Sequence, residues 1–470
     1  MTDTTQNTII AALDIGTTKV CALVGKRDQH GQLDILGTGK VESEGVMRGV
    51  VNNIEKTIKA IVGACEQARN SSGVDFDVVH VGIAGQHIKS LQHRGMLIRD
   101  NAQQEISQRD IDRLISDMHK LVLPPGDKIL HVIPQEYTVD MEQGIVDPIG
   151  MSGSRLEANF HIITGQTMAS NNINRCVERA QLEMASVTLE PIASAASVLY
   201  SDEKEAGVAL VDIGGGTTDI TVYKDGIIRH TAVIPFGGNV ITSDIKQGCT
   251  VMEEQAEKLK VNYGRAVPAE VLENRLIVIP GLRGREPKEI SERNLSKIIM
   301  ARAEEILDHV MWEIRRAGFT GQQELIGGIV LTGGGSLLTD IDKLTELHTG
   351  MSTRLGTPIE HLTHGYQEKL TSPIYATGVG LLLQGFADID AGRIEPVLSR
   401  RKEKEAKARE LAVAQAREDA NAREKEAAEA RWKEMQQQKT AVKQEEEGSF
   451  FGTMFRKTKE WFEAEPDQDL

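Results

Sequence analysis

Short apolar runs broken by glycine recur through most of the chain. IIAALDIGTTKVCALVGKRDQHGQLDILGTG near the N-terminus reads strand, turn, strand, turn, strand. GVALVDIGGGTTDITVYKDGIIRHTAVIPFGG, from Gly207, reads the same way. Helical patterns lie between and after these stretches, which predicts an α/β fold. Near residue 398 the alternation stops, and Ala, Glu, Lys, Arg and Gln fill the chain to Glu447 with no regular apolar seam. That composition favours helix and predicts a solvated spacer, part helix and part disorder, with a coiled coil as the alternative. Fully helical, it would span about 70 Å. The pattern changes once more at GSFFGTMFRKTKEWF. Phe450, Phe451, Met454, Phe455, Trp461 and Phe462 fall on one side of a helix, and Arg456, Lys457 and Lys459 fall largely off it. A basic amphipathic helix with aromatics predicts a membrane-surface element, or one that docks in a partner's groove.

The two strand-turn-strand stretches are copies of one motif, spelled Asp14-Ile15-Gly16 before Thr17-Thr18 and Asp212-Ile213-Gly214 before Thr217-Thr218. Two copies predict a two-lobed protein with a cleft between pseudo-equivalent halves. A tight hairpin alone could use glycine, but one usually suffices; three adjacent glycines, Gly214, Gly215 and Gly216, suggest a backbone meant to approach something closely. Bare backbone lets successive N–H groups approach a phosphate, and the Thr hydroxyls and Lys19 add donors. Neither turn is a Walker loop, because each leads into a strand. Asp14 and Asp212 precede the turns and suit Mg²⁺ held through its waters. A third cluster, Gly333-Gly334-Gly335, follows an apolar run from Gly328, and Ser336 begins a helical pattern; helix capping and a nucleotide-contacting turn are both open. Glu257 and Lys260 share a helix face, as in an ordinary surface ion pair.

At 470 residues the chain needs several domains or subdomains. A formal net charge of −15 argues against nucleic acid as the main partner. Four scattered cysteines without a CxxC suggest neither a metal framework nor disulfides, and fit a reducing cytosol. No signal peptide and no run of 18 apolar residues is visible.

LDIGTTKV, LEPIASAASV, VDIGGGTTDI, VLTGGGSLL and ATGVGLLL, in that order, resemble the phosphate, connecting and adenosine segments of the actin, Hsp70 and sugar-kinase ATPase superfamily. HVIPQEYTVD, DPIGMSG and VIPFGGNVITSDI narrow the resemblance to the FtsA family of bacterial division proteins, over residues 8 to 392. The charged segment is longer than that family's pattern, which leaves its spacing role open.

The resemblance implies an actin-like, ribonuclease-H-like α/β fold: subdomain 1A at 8–85, 164–204 and 373–395, 1C at 86–163, 2A at 205–245 and 323–372, and 2B at 246–322. A charged spacer at 396–447 and an amphipathic membrane-targeting helix at 448–464 would follow. It implies ATP and Mg²⁺ in the cleft. Gly16, Thr17, Thr18 and Lys19 would form the first phosphate loop, Gly214 to Thr217 the second, Gly333 to Ser336 the adenine-side loop, and Glu257 and Lys260 the ribose contact. Glu190 would orient an attacking water beside Asp14 and Asp212, with at most slow ATPase activity. Implied partners are the FtsZ C-terminal peptide at 2B, further copies in filaments, other division proteins, and the cytoplasmic face of the cell membrane at the division site. Arg283, Arg285, Lys297 and Arg302 are basic residues in 2B, either a solvated face or a seat for an acidic peptide. A small-molecule phosphotransferase of the sugar-kinase branch and an MreB-like scaffold are the alternatives.

Overall fold

The first apolar run is the strand Ile9–Ile15, buried on both sides. Successive side chains on a strand point to opposite faces. Ala11 and Leu13 accordingly pack with Ile61, Ala64 and Ala68 of the helix Ile54–Ser72, while Ile10 and Ala12 pack with Val379, Leu382 and Phe386 of the helix Ala376–Asp390. Helices on both faces are why this run is continuously apolar rather than alternating. Each fully buried Leu or Ile contributes about 1.5–3 kcal/mol. The helix Ile54–Ser72 starts where the Asn53 side chain accepts the Lys56 N–H and stops at Gly73, with φ of 69°.

The computed structural model describes residues 8–281, 286–363, 368–399 and 401–462. Met1–Ser399 and Arg400–Leu470 are separate compact units. Within the first unit two five-stranded sheets share one strand order. In the first sheet, Leu33–Glu42, Lys19–Arg27 and Ile9–Ile15 run antiparallel, and Val78–Ile83 and Glu183–Leu189 continue in parallel. In the second, Ile227–Ile234, Thr218–Lys224 and Val208–Ile213 run antiparallel, followed in parallel by Ile329–Thr332 and Thr353–Leu355. The two-sided burial repeats as well. Ala209 and Val211 meet Leu307 and Val310 of the helix Glu292–Arg316, while Val208 and Leu210 meet Ala195 and Val198 of the helix Glu190–Val198.

Each lobe carries an insertion. In the first lobe it is the four-stranded sheet Lys89–Ile98, Arg155–Gln166, Asp127–Val139 and Glu142–Ile145 with the helix Gln108–Met118. In the second, the helices Gly238–Cys249 and Glu253–Tyr263 and the hairpin Leu276–Ile279/Lys288–Ser291 pack on Glu292–Arg316. The first insertion also reaches the opposite lobe: Gln135 Nε2 donates to Ile228 O at 2.6 Å, Arg229 Nη1 to Glu136 Oε1 at 2.5 Å, and His161 Nε2 bonds Thr231 Oγ1 at 2.9 Å.

His131 ties that insertion to the first lobe, its Nε2 accepting the Leu189 N–H at 3.0 Å. An accepting ring nitrogen carries no proton. Burial pushes the pKa values of His131, His80 and His161 down to about 4. The unfolded values lie near 6.5, so between these limits the unfolded chain binds more protons and stability falls as pH falls. Each ring accounts for about 3 kcal/mol across that window. His131→Gln, which keeps an acceptor, should flatten the dependence of the urea midpoint on pH between 6.5 and 4 by one proton's worth.

Among the described residues the second unit is one helix, Arg401–Phe462, of 62 residues. It departs from the mixed spacer and separate terminal helix expected from composition, because it runs unbroken through Gly448 and Ser449; residues 463 and 464 lie outside the described residues. Acid-to-base spacings of four along the sequence, as at Glu403/Lys407, Glu405/Arg409, Asp419/Arg423 and Glu429/Lys433, support the charged stretch of this helix, which lacks an apolar seam. One internal glycine costs only about 1 kcal/mol against that. No described helix is long and apolar enough to cross a membrane.

Candidate functional site

The two hairpins have identical registers. Asp14 lies opposite Cys21 and Asp212 opposite Asp219. Gly16 N–H donates to Lys19 O and Gly214 N–H to Thr217 O, both at 2.9 Å. The turns are therefore equal in length, and Thr17 and Thr18 occupy the places of Gly215 and Gly216. The motif spelling aligns them with Thr217 and Thr218, and the register corrects it. The turns also face one another across the cleft. A Cβ on Gly215 would lie 2.2 Å from Thr18 Cγ2, and one on Gly216 2.6 Å from Thr17 Oγ1. The opposing threonines thus account for the extra glycines of the second turn.

The third glycine cluster closes on the second. Gly333 has φ of 82° and ψ of 176°, a region essentially reserved for glycine. A Cβ there would sit 2.1 Å from Asp212 Oδ1 and 2.7 Å from Ile213 O. The strand before it is Ile329–Thr332, and a single 3-10 turn, Gly334–Leu337, follows it. The helix expected at Ser336 begins only at Ile341. Ser336 is buried and its hydroxyl donates to Gly333 O at 2.8 Å. It braces the turn from inside and is absent from the walls of both cavities described below.

A cavity of about 370 Å³ lies between the turns, walled by Gly16 to Lys19, Gly214 to Thr217, Gly333 and Gly334. Five acidic residues line it: Asp14, Glu42, Glu190, Asp212 and Asp219. Lys19 Nζ bonds Asp14 Oδ2 at 2.6 Å. Burial disfavours its charge, yet Asp14 beside it holds the ammonium above the ordinary lysine range. Burial raises the Asp212 carboxyl, opposed by the Ser194 hydroxyl and by Lys19. Glu190 is raised well above the usual carboxylate range by burial and by its acidic neighbours, Asp14 first. Asp219 is raised likewise, by burial and then by Asp212, and its Oδ1 is buried without a hydrogen-bond partner. Sequence reasoning missed Asp219. The available signal was the spacing of seven from Asp212, which in a tight hairpin sets the two residues opposite each other. Among the described residues no three acidic, His or Cys groups converge as a ready metal cage.

Removing Lys19 would leave Asp14, only 3 % exposed, without its cation. An unpaired buried charge costs about 3–5 kcal/mol. Lys19→Met should lower stability by that order, and adding Asp14→Asn should recover most of it in urea unfolding.

A second cavity of about 290 Å³ shares Thr18, Gly214, Gly215 and Gly334 with the first and extends to Glu257 and Lys260. Lys260 Nζ meets Glu257 Oε2 at 2.8 Å, Thr242 Oγ1 at 2.8 Å and Gly238 O at 3.0 Å, and Thr242 Oγ1 donates to Glu257 Oε2 at 2.5 Å. The pair is therefore anchored to the helix Gly238–Cys249 at the cavity wall, unlike a solvated surface pair.

On the terminal helix Phe451, Met454 and Phe455 are 63 %, 54 % and 79 % exposed, and Arg456, Lys457 and Lys459 are exposed too. The side chains of Phe450, Trp461 and Phe462 lie outside the described residues. In the second insertion Arg283 and Arg285 also lie outside them. Lys297 is exposed there, and Arg302 is neutralised by Asp244 and Glu305, each at 2.5 Å.

Comparison with known proteins agrees with this architecture. The family model described as cell division protein FtsA matches residues 209–380, and that of the SHS2 domain inserted in FtsA matches 85–164. The chain is 42% identical to cell division protein FtsA of Pseudomonas aeruginosa over 80% of its own length and 89% of the relative's. It is 40% identical to that of Neisseria meningitidis (80% and 90% covered) and 35% identical to that of Escherichia coli K12 (82% and 92% covered). Two solved structures share the actin-like fold at low identity. They are a PilM-PilN type IV pilus biogenesis complex (TM-score 0.58, 13% identity, 80% of this chain and 98% of that one) and MreB5 of Spiroplasma citri bound to AMPPNP (0.51, 15%, 82% and 99%). The sugar-kinase and MreB-like alternatives give way to this family membership.

Proposed function

The chain belongs to the FtsA family of actin-like cell division proteins, and from that membership we propose that it is an ATP-binding membrane tether for FtsZ filaments. One observation carries the nucleotide part of this reading: two equal hairpin turns from opposite lobes face each other over a cavity of about 370 Å³ that continues into a second of about 290 Å³.

The donor set fits a nucleotide with its cation. The turns line the cavity with glycine-rich backbone, and Asp219 Oδ1 is a buried acceptor without a donor. Backbone N–H groups of Gly16 to Thr18 and Gly214 to Thr217 would hold the phosphates, Lys19 would neutralise them, and Glu257 and Lys260 would meet the ribose. Mg²⁺, held by Asp14 and Asp212 through its waters, would supply charge neutralisation between phosphates. Glu190 reaches the cavity and would orient an attacking water, consistent with slow hydrolysis.

The terminal helix supplies the second half. Its exposed Phe451, Met454 and Phe455 beside Arg456, Lys457 and Lys459 suit an anionic lipid surface on the cytoplasmic face. Self-assembly would array many weak anchors into one strong attachment. The FtsZ C-terminal peptide would dock on the second-lobe insertion. A titration with a fluorescent ATP analogue and Mg²⁺ tests the nucleotide reading. Saturable binding that unlabelled ATP displaces supports it, and no displaceable binding at millimolar nucleotide sinks it.

A further inference from the structure

Asp212 is wired into both helices that join the lobes, and Asp14 is not. Asp14 bonds Lys19 of its own hairpin. Asp212 Oδ2 accepts from Ser194 Oγ at 2.7 Å and from Thr377 Oγ1 at 3.4 Å, and the two hydroxyls lie 3.1 Å apart. Ser194 belongs to the helix Glu190–Val198, which leaves the first lobe, and Thr377 to the helix Ala376–Asp390, which returns to it. Ser194 is fully buried and Thr377 is 8 % exposed. A second bond of the same kind crosses one turn away, from Ser197 Oγ to Ala376 O at 2.7 Å.

The crossing is too tight to relax locally. A Cβ on Gly380 would lie 1.8 Å from Ala193 O, so the two helices touch backbone to backbone there. On its other side Asp212 is boxed by Gly333, whose Cβ would fall on Oδ1. One carboxylate thus sits where the second hairpin, the third turn and both connecting helices meet. A group that engages the carboxylate would share it with the same two hydroxyls that bridge the helices.

We propose that Ser194 and Thr377 are positioning residues: they aim the Asp212 carboxylate at the cation of a bound nucleotide and transmit its engagement to the crossing of the two connecting helices. The proposal rests on the nucleotide reading of the cleft. Hydrogen bonds to a charged group are stronger than neutral ones, so losing both should reorient the carboxylate without emptying the pocket. Asp14, locked to Lys19 in one hairpin, leaves Asp212 as the aspartate that reports to the hinge.

The test uses the full chain with Ser194→Ala, Thr377→Val and the double variant, and Thr377→Ser as the variant that keeps a hydroxyl. Two quantities are read: the ratio of ADP affinities with Mg²⁺ and with EDTA, and the slowing of amide exchange in 190–198 and 376–390 on adding Mg·ADP. The double variant should bind ADP in EDTA as the unaltered chain does. It should lose about tenfold of the Mg²⁺-dependent gain and lose the slowing in both helices. Thr377→Ser should keep both. A double variant with an unchanged ratio and full slowing overturns the proposal. Failure of the unaltered chain to bind ADP at all overturns the nucleotide reading and this proposal with it. If the double variant melts early, the single variants at 20 °C carry the comparison, and an unchanged ratio in both overturns it equally.

Discussion

Phe451→Glu combined with Phe455→Glu abolishes binding to anionic vesicles and leaves ATP binding intact. Both rings are largely exposed on the terminal helix, so neither contributes to a core whose loss would confuse the result. Burying a large apolar side chain gives about 1.5–3 kcal/mol, and immersion in a lipid interface recovers about half of that. Two lost rings therefore remove about 1.5–3 kcal/mol per chain, and two added carboxylates meet anionic lipid with the wrong sign. The single-chain affinity should fall about 100-fold, and arrayed copies multiply the loss. Co-sedimentation measures it. Full retention on vesicles by the double variant would make this helix a protein-docking element.

Gly333→Ala should be the most damaging single methyl in the cleft. Its backbone conformation costs about 1–3 kcal/mol for any side chain. The new Cβ would also meet Asp212 Oδ1 at 2.1 Å and Ile213 O at 2.7 Å, so the carboxylate or the second hairpin must move. ATP affinity should fall by at least about 100-fold, with a loss of several degrees in melting temperature. Gly334→Ala is the control. Its Cβ meets nothing closer than Ile374 Cγ1 at 4.0 Å, and its melting temperature should match the unaltered chain. Equal ATP affinity in Gly333→Ala and the unaltered chain would disconnect this turn from the nucleotide.

Local features of the site were legible in the sequence, and long-range ones were not. A hairpin is set by its own residues, so LDIGTTKV and VDIGGGTTDI announced both turns and, by repetition, both lobes. The alignment of their threonines failed because spelling does not fix register; the pairing of Asp212 with Asp219 does. The glycines read as bare backbone for phosphate. Their nearest constraint is Thr17 and Thr18 of the opposite lobe, almost 200 residues away in the chain. The segments LEPIASAASV and ATGVGLLL were legible as connectors, yet nothing local picks Ser194 and Thr377 out of them, since their shared acceptor lies on a third element. Ser336 looked like a helix start because Ser often caps helices, but a 3-10 turn, Gly334–Leu337, occupies that stretch and the helix begins only at Ile341. Continuity through Gly448 was missed because a single glycine reads as a boundary, while the long charged run on one side and the aromatic run on the other both favour helix.

Nucleotide state in the cleft should govern attachment at the terminal helix through assembly. Co-sedimentation of the full chain with anionic vesicles, with and without Mg·ATP and beside a chain ending at Glu447, tests it directly. Only the full chain should pellet, and Mg·ATP should shift the half-saturating lipid concentration down by at least about tenfold through assembly. Equal pelleting of the two chains, or a lipid requirement indifferent to Mg·ATP, would contradict it.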